Sequence, residues 1–143
     1  MTSQPASPPL SHGRRLAVIA AAGFGAVVLF QLAIVLGAPL GTAAWGRAHS
    51  GQLPFELRLA SAFSAGFWTL AALTVLSRGG IGLSPVPYAS SRWGTWVLFG
   101  VLALGAAVNL ASASNWERFG WAPLTTALAL SCFMLARTDD SSA

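Results

Sequence analysis

Four apolar segments without Asp, Glu, Lys or Arg constrain the fold of this chain more than any other feature. They cover residues 16–36, 59–76, 93–111 and 119–136. A membrane-spanning helix needs about 20 predominantly apolar residues. In lipid every backbone N–H and C=O must find a partner inside the protein, and helices satisfy this within each segment. The sequence therefore predicts an all-α fold, an integral membrane four-helix bundle with short loops.

The chain divides into one membrane domain and two polar tails. Residues 1–15 are rich in Pro and Ser, and we expect a disordered N-terminal tail. The membrane domain covers residues 16–137, and residues 138–143 form a C-terminal tail. Its spans are predicted at about 16–37, 57–77, 93–112 and 119–137. Because a signal peptide has an apolar core of only about 7–15 residues, we expect the first segment to remain as a span.

Charge is scarce and unevenly distributed. Charged residues make up 8% of the chain and hydrophobic residues 55%, and the net charge is +4. The basic residues are all Arg and flank the apolar segments, where they set orientation and meet anionic headgroups. No basic patch interleaved with aromatic residues exists, so we expect no nucleic-acid partner. The predicted partners are membrane lipids, with a homo-oligomer or a partner membrane protein as further alternatives.

The arginines also orient the bundle. With four spans, both tails and the middle loop lie on one side of the membrane. That side carries Arg14, Arg15, Arg78, Arg92 and Arg137, and the other side carries Arg47, Arg58 and Arg118. Because basic residues concentrate in cytoplasmic loops, we expect the N-terminus and the C-terminus in the cytoplasm. The middle loop, with its glycines and prolines, is predicted to be a plain connector.

Polar residues converge on the predicted extracytoplasmic end. The candidate cluster consists of Trp45, His49, Glu56, Arg58, Asn109, Ser112, Glu117 and Arg118. Gln31 lies in the first span near the same end. A polar group in lipid is costly unless it finds a partner, so each residue is a site candidate. Three interpretations stay open: a structural plug that caps helix ends and pairs Arg58 with Glu117, a pocket for a small ligand or lipid headgroup, and a catalytic site.

The sequence offers little for catalysis or metal binding. His49 is chemically able to act as a base or a ligand. The other histidine, His12, lies in the tail that is predicted on the opposite side. The single cysteine, Cys132, rules out an intramolecular disulfide and a CxxC motif. We therefore predict no catalytic residue, no metal and no cofactor, and we favour a non-enzymatic protein without closing the question.

Small residues predict how the helices pack, because they let membrane helices approach closely. In the fourth span they form a continuous stripe that we expect to be buried. Its members are Arg118, Ala122, Thr125, Ala129, Cys132 and Ala136. In the first span a weaker stripe consists of Ala22, Ala26, Ala33 and Gly37. The short third loop makes the third and fourth spans antiparallel neighbours.

Two stretches of sequence together resemble a family of small four-span bacterial inner-membrane proteins. The resemblance rests on Gly37, Ala38, Pro39, Gly41, Ala44, Trp45, Gly46, Leu53, Pro54, Leu57, Arg58, Asn109, Ser112, Ser114, Glu117, Arg118 and Pro123. The chain departs from the family pattern at Arg47, where the family has glycine. This departure implies that the position tolerates a large side chain. The resemblance implies the fold and a multi-pass location in the bacterial inner membrane, and it carries no activity.

The four spans and the polar cluster limit the functions that the sequence supports to three. The leading hypothesis is a small non-enzymatic bundle that binds a lipid, a ligand or a partner through its extracytoplasmic end. The first alternative is a small-solute transporter that works as a dimer. Proton-coupled export is disfavoured because the first span offers only Gln31, which does not titrate. The second alternative is an intramembrane enzyme, with His49, Glu56 and Glu117 as its acid–base residues.

Overall fold

The computed structural model describes residues 12–44, 49–82 and 84–138. The helices in these ranges are α1 (His12–Val35), α2 (Gly41–Ala44), α3 (Phe55–Arg78), α4 (Tyr88–Ala111), a π-helical segment (Trp116–Trp121) and α5 (Ala122–Arg137). No strand occurs in the described residues, and the predicted all-α class is confirmed. Most of the predicted N-terminal tail, Trp45, Arg47 and residues 139–143 lie outside the described ranges.

Four helices are long and apolar enough to cross a membrane. They are α1, α3 and α4, each of 24 residues, and the continuous helix Trp116–Arg137 of 22 residues. Large apolar side chains cover their outer faces; Ile19 is 64% exposed, Phe63 75% and Leu104 68%. Such a surface suits lipid, since soluble monomers rarely expose extended apolar patches. The chain is a four-helix bundle of the kind that spans a membrane.

Two of the helices begin earlier in the sequence than the apolar segments do. α1 begins at His12, ahead of the predicted span start at residue 16. α4 begins at Tyr88, directly after Pro87, rather than near residue 93. Proline has a fixed φ close to the helical value and lacks an N–H, so it suits a helix start. The polar turns that follow each start extend the helices beyond the apolar segments.

The four long helices form a ring of two antiparallel hairpins. α1 packs against α3, and α4 packs against α5, which confirms the predicted pairing of the third and fourth spans. The ring is closed by looser contacts of α3 with α4 and of α1 with α5. We call the end where α1 and α4 finish the first-loop end, and the opposite end the tail end.

The buried core lies in the tail half of the bundle. Its members are Ala17, Ala20, Phe24, Ala71, Val75, Leu98, Leu102, Leu128, Ala129, Cys132 and Leu135. On α5 the predicted small-residue stripe is confirmed at Ala122, Ala129, Cys132 and Ala136, which are all buried. At the first member of that stripe the prediction is wrong, because Arg118 is exposed. The tail half is therefore tightly packed through small side chains.

On α1 the predicted packing face is wrong. Ala22 and Ala26 are exposed, whereas Ala17, Ala20 and Phe24 are completely buried. α1 carries alanine on several faces, so small residues alone do not indicate which face packs. Phe24 sets the orientation instead, because its ring stacks on Trp68 of α3 with the centroids 5.6 Å apart.

Arg78 closes the tail end, although it was predicted only as a flanking charge. It is 3% exposed. Its Nε donates to the carbonyl oxygen of Leu135 at 3.2 Å and its Nη1 to the hydroxyl of Tyr88 at 3.1 Å, while Nη2 donates to the carbonyl oxygen of Thr138. The last carbonyls of a helix lack intrahelical partners. Arg78 therefore caps the C-terminus of α5 from the end of α3.

The middle loop is more than the plain connector that was predicted. Ser77 Oγ donates to the carbonyl oxygen of Val86 at 2.9 Å. Ser84 Oγ donates to the carbonyl oxygen of Leu73 at 3.0 Å and accepts from Val86 N at 3.2 Å. These bonds hold the loop against the last turns of α3 at the tail end of the bundle, where Arg78 is buried.

Candidate functional site

A cavity of about 410 Å³ lies between the four long helices in the first-loop half. All four helices and α2 contribute to its lining, which consists of Val27, Phe30, Gln31, Ala44, Ala60, Ser61, Ser64, Trp68, Leu102, Asn109, Glu117, Trp121, Thr125 and Leu128. Small-molecule sites are commonly about 300–1,000 Å³ and mostly apolar, with a few polar groups that fix orientation. This cavity has the size and the mixed lining of such a site.

The floor of the cavity is apolar and continuous with the core. Trp68, Leu102 and Leu128 line the cavity and also pack on the core cluster of the tail half. α1 and α5 come close here, because a Cβ on Gly23 would lie 2.8 Å from Leu128 Cδ2. The cavity is thus closed toward the tail end by packed side chains.

The π-helical segment shapes one wall. Its wider turn is marked by the bond from Ala122 N to the carbonyl oxygen of Glu117, five residues back. π-Bulges are rare and are frequent at functional sites. In this register both Glu117 and Trp121 line the cavity. The π turn therefore places the carboxylate of Glu117 and the indole ring of Trp121 in the cavity wall.

Trp121 also fixes the first loop. Its Nε1 donates to the carbonyl oxygen of Ala43 in α2 at 2.7 Å, and its ring meets Phe30 edge-on with centroids 4.6 Å apart. The backbone of this loop is tightly packed at Gly41. Its N donates to Gly51 O at 2.9 Å, and a Cβ there would lie 2.8 Å from that oxygen. These contacts hold α2 against the π-helical segment and place Ala44 in the cavity wall.

Glu117 is held by a short hydrogen-bond chain through the third loop. Ser114 N donates to Ser112 Oγ at 3.0 Å, and Ser112 Oγ donates to Glu117 Oε2. The Ser114 N–H thus occupies the Ser112 oxygen, and the Ser112 hydroxyl is left to donate to the carboxylate. The chain fixes one carboxylate oxygen, and the other has no hydrogen-bond donor within the described part of the protein.

Arg58 does not pair with Glu117, so the predicted ion pair is wrong. Its Nε and Nη2 both donate to the carbonyl oxygen of Val35, at 3.0 and 2.6 Å. Arg58 thus caps the C-terminus of α1. Arg118 behaves in the same way, since its Nε donates to the carbonyl oxygen of Leu110 near the end of α4 at 3.2 Å. The plug interpretation is right about helix capping and wrong about the charge pairs.

Several polar side chains of the cavity have no hydrogen-bond partner among the described residues. They are Gln31, Ser61, Ser64, Asn109 and the indole N–H of Trp68. Elsewhere in the spans, hydroxyls bond to the carbonyl four residues back, as Thr69, Thr74 and Thr95 do. Buried polar groups are ordinarily satisfied. The unpartnered groups are therefore concentrated where they face the cavity.

The predicted cluster divides into three groups in the structure. Asn109 and Glu117 reach the cavity, with Ser112 behind Glu117. Arg58 and Arg118 cap helix ends, and Glu56 is exposed in the first turn of α3. His49 is half-buried outside the cavity lining, and its Nδ1 has no hydrogen-bond partner in the described ranges. Trp45, the remaining member, lies outside those ranges.

Sequence reasoning missed four cavity residues: Ser61, Ser64, Trp68 and Trp121. Trp68 gave a usable signal, because tryptophan is enriched at membrane interfaces and this one lies well inside a span. Ser64 follows Ser61 by three residues, which places two hydroxyls on one face of α3.

The chemistry of this lining is that of binding. Within the described residues, Glu117 is the one acidic or basic side chain in the lining, and no nucleophile and base are paired there. The described residues also contain no group of three His, Cys, Asp or Glu side chains that could hold a metal ion. Comparison of the chain with protein-family models, with curated proteins and with solved structures finds no match. The cavity is therefore the feature of this protein that indicates a function.

Proposed function

We propose that this protein is a small multi-pass protein of the bacterial inner membrane that binds an amphipathic small molecule in the cavity. The carrying observation is the set of unpartnered polar side chains above an apolar floor. A ligand with a hydrogen-bonding head and an apolar body would satisfy both parts. With the termini in the cytoplasm, as the arginines suggest, the cavity would open on the extracytoplasmic half of the membrane.

The packing supports binding rather than passage. A transporter must expose its site to both sides, and here the floor residues Trp68, Leu102 and Leu128 are continuous with the core of the tail half. Catalysis gains no support either, because His49 and Glu56 lie outside the lining that contains Glu117. Membrane lipids are natural partners of such a bundle, and a homo-oligomer or a partner membrane protein remains a proposal.

Mass spectrometry of molecules that co-purify with the protein tests this function directly. Ser61 is 4% exposed and lines the cavity, so Ser61→Leu replaces the hydroxyl oxygen by three carbons and fills part of that space. Ala62, the next residue of α3, is exposed, and Ala62→Leu is the matched control. We expect a bound species in the wild type and in Ala62→Leu that is depleted in Ser61→Leu. An identical profile in all three proteins would contradict the proposal.

A stability measurement separates the ligand pocket from the structural plug. Asn109→Leu keeps a similar volume and removes an amide that has no hydrogen-bond partner in the described residues. If that amide serves a ligand, the melting temperature of the ligand-free protein should stay the same or rise. If it holds the fold together, the substitution should cost about 1–3 kcal/mol. A clear loss of stability would favour the plug.

A further inference from the structure

Glu117 is the one charged side chain among the described residues that line the cavity, and two arginines at the same end of the bundle bind other groups. Glu117 lines the cavity, while Arg58 donates both of its bonds to the carbonyl of Val35 and Arg118 donates to that of Leu110. No ion pair involves Glu117 within the described residues. Glu117 lies in the first turn of the helix Trp116–Arg137, and a half-buried carboxylate at the end of a span gains from a partner of opposite charge.

The protein also keeps this carboxylate as an acceptor. Ser112 Oγ donates to Oε2, and its own oxygen accepts from Ser114 N at 3.0 Å. A hydroxyl that receives a backbone N–H in this way directs its single proton to the carboxylate. The arrangement holds the side chain in place with one oxygen committed to Ser112, so the other oxygen is available to a ligand.

Aromatic rings complete the environment. Phe30, Trp68 and Trp121 line the same cavity as Glu117. The position of Trp121 is fixed by its bond to Ala43 O, and that of Trp68 by stacking on Phe24. Tryptophan faces attract organic cations, and aromatic cages that recognise quaternary ammonium groups use this attraction. A carboxylate beside such rings favours a bulky cation over a neutral or anionic head.

Resting on the proposed ligand-binding function, we infer that the cavity takes an organic cation, an amine or quaternary ammonium group attached to an apolar body. The cationic group lies against Glu117 and the ring of Trp121, which belong to the same π-helical segment. The apolar body extends toward Val27, Leu102 and Leu128. Gln31 and Asn109 supply neutral hydrogen-bonding groups around the head. Among the described residues of the lining none is basic and one is acidic, so this lining favours a cationic head over an anionic one.

A pair of probes with the same shape tests the inference. Benzyltrimethylammonium and neopentylbenzene differ in one atom, since the charged nitrogen of the first is a carbon in the second. Binding of each to the purified full chain, in the same neutral detergent, is followed by calorimetry. We expect the cation to bind about 10- to 100-fold more tightly, the range that corresponds to one interaction with a charged group.

The variants assign the effect to Glu117. Glu117→Gln keeps an oxygen that accepts from Ser112 and removes the charge, so affinity for the cation should fall by about 10-fold or more while affinity for the isostere is unchanged. Glu56→Gln removes the exposed glutamate at the same end of the bundle and should leave both affinities within about twofold. Melting temperatures of both variants show whether they are folded.

Each outcome has a distinct meaning. If both probes bind equally, the inference about the cation is wrong. If that equal binding is lost in Ser61→Leu, the probes bind in the cavity and the proposed ligand-binding function is still supported. Failure of both probes to bind also overturns the inference, and the co-purification experiment then decides separately whether the pocket binds another class of ligand. If Glu117→Gln does not fold, the comparison of the two probes on the wild type remains decisive.

Discussion

Replacement of Arg78 by methionine should destabilise the protein more than replacement of any exposed arginine. Arg78 is 3% exposed and donates to Leu135 O, Thr138 O and the hydroxyl of Tyr88. Methionine preserves most of the apolar stem and removes all of these donors. The change therefore isolates the capping contribution from the packing of the side chain.

The magnitude follows from the environment of each acceptor. The bond to Leu135 O is buried, and an unsatisfied buried acceptor costs about 1–3 kcal/mol. The acceptors on Thr138 and Tyr88 are part-buried, so water can replace some of what is lost, and each adds about 0.5–1.5 kcal/mol. We expect a total of about 3 kcal/mol. By the size scaling of soluble domains, this corresponds to a melting temperature lower by about 10 °C.

Thermal unfolding in a neutral detergent measures this effect, and hydrogen exchange locates it in the last turn of α5. Arg92→Met is the matched control, because Arg92 is an exposed arginine of α4 at the same end of the bundle as Arg78. This substitution should change the free energy of unfolding by less than about 0.5 kcal/mol. Arg78→Lys should recover less than half of the loss, since an ammonium group cannot reach several acceptors as the guanidinium fork does. Equal melting temperatures for Arg78→Met and Arg92→Met would refute the capping argument.

Three further predictions address packing, charge and orientation. Cys132 is completely buried, so Cys132→Ala should change stability by less than about 1 kcal/mol and Cys132→Leu should cost about 1–3 kcal/mol, as thermal unfolding will show. Arg58→Glu and Glu117→Arg should each lower the melting temperature, and the double variant should show a coupling below about 0.5 kcal/mol; a larger recovery would mean that the two side chains meet. In a Cys132→Ala background, an impermeant thiol reagent added to intact cells should label a cysteine at Ser50 and spare one at Ser84, and the reverse would invert the proposed orientation.

The helices and the meeting of polar groups could be predicted because both follow from local sequence and the bilayer. Length and hydropathy predict the four spans, and antiparallel alternation brings Gln31, Asn109 and Glu117 to the same end of the bundle. The cavity between them could not be predicted. It depends on a π turn in the residues before Ala122 that shifts the register of the wall, and the sequence of this turn is also compatible with an ordinary α-helix.

The partners of the arginines could not be predicted for a related reason. From the sequence, a charged residue at a span end is expected to meet an opposite charge or the headgroups. In the structure Arg58 and Arg78 instead reach the last carbonyls of helices that are distant in the sequence, at Val35 and Leu135. Every helix end offers such acceptors regardless of its sequence, so no residue pattern marks the chosen one.

The arginines that stabilise the ends of the bundle are different residues from those that line the cavity. Arg58, Arg78 and Arg118 each bind a carbonyl at or near the end of another helix, and none of the three lines the cavity. Gln31 and Asn109 have no hydrogen-bond partner in the described residues, so their amides add no such bond to the fold. Polar groups that do not serve the fold are characteristic of binding sites, where stability is given up for activity. The tightly packed tail half supplies the stability that lets the first-loop half keep an open, polar cavity.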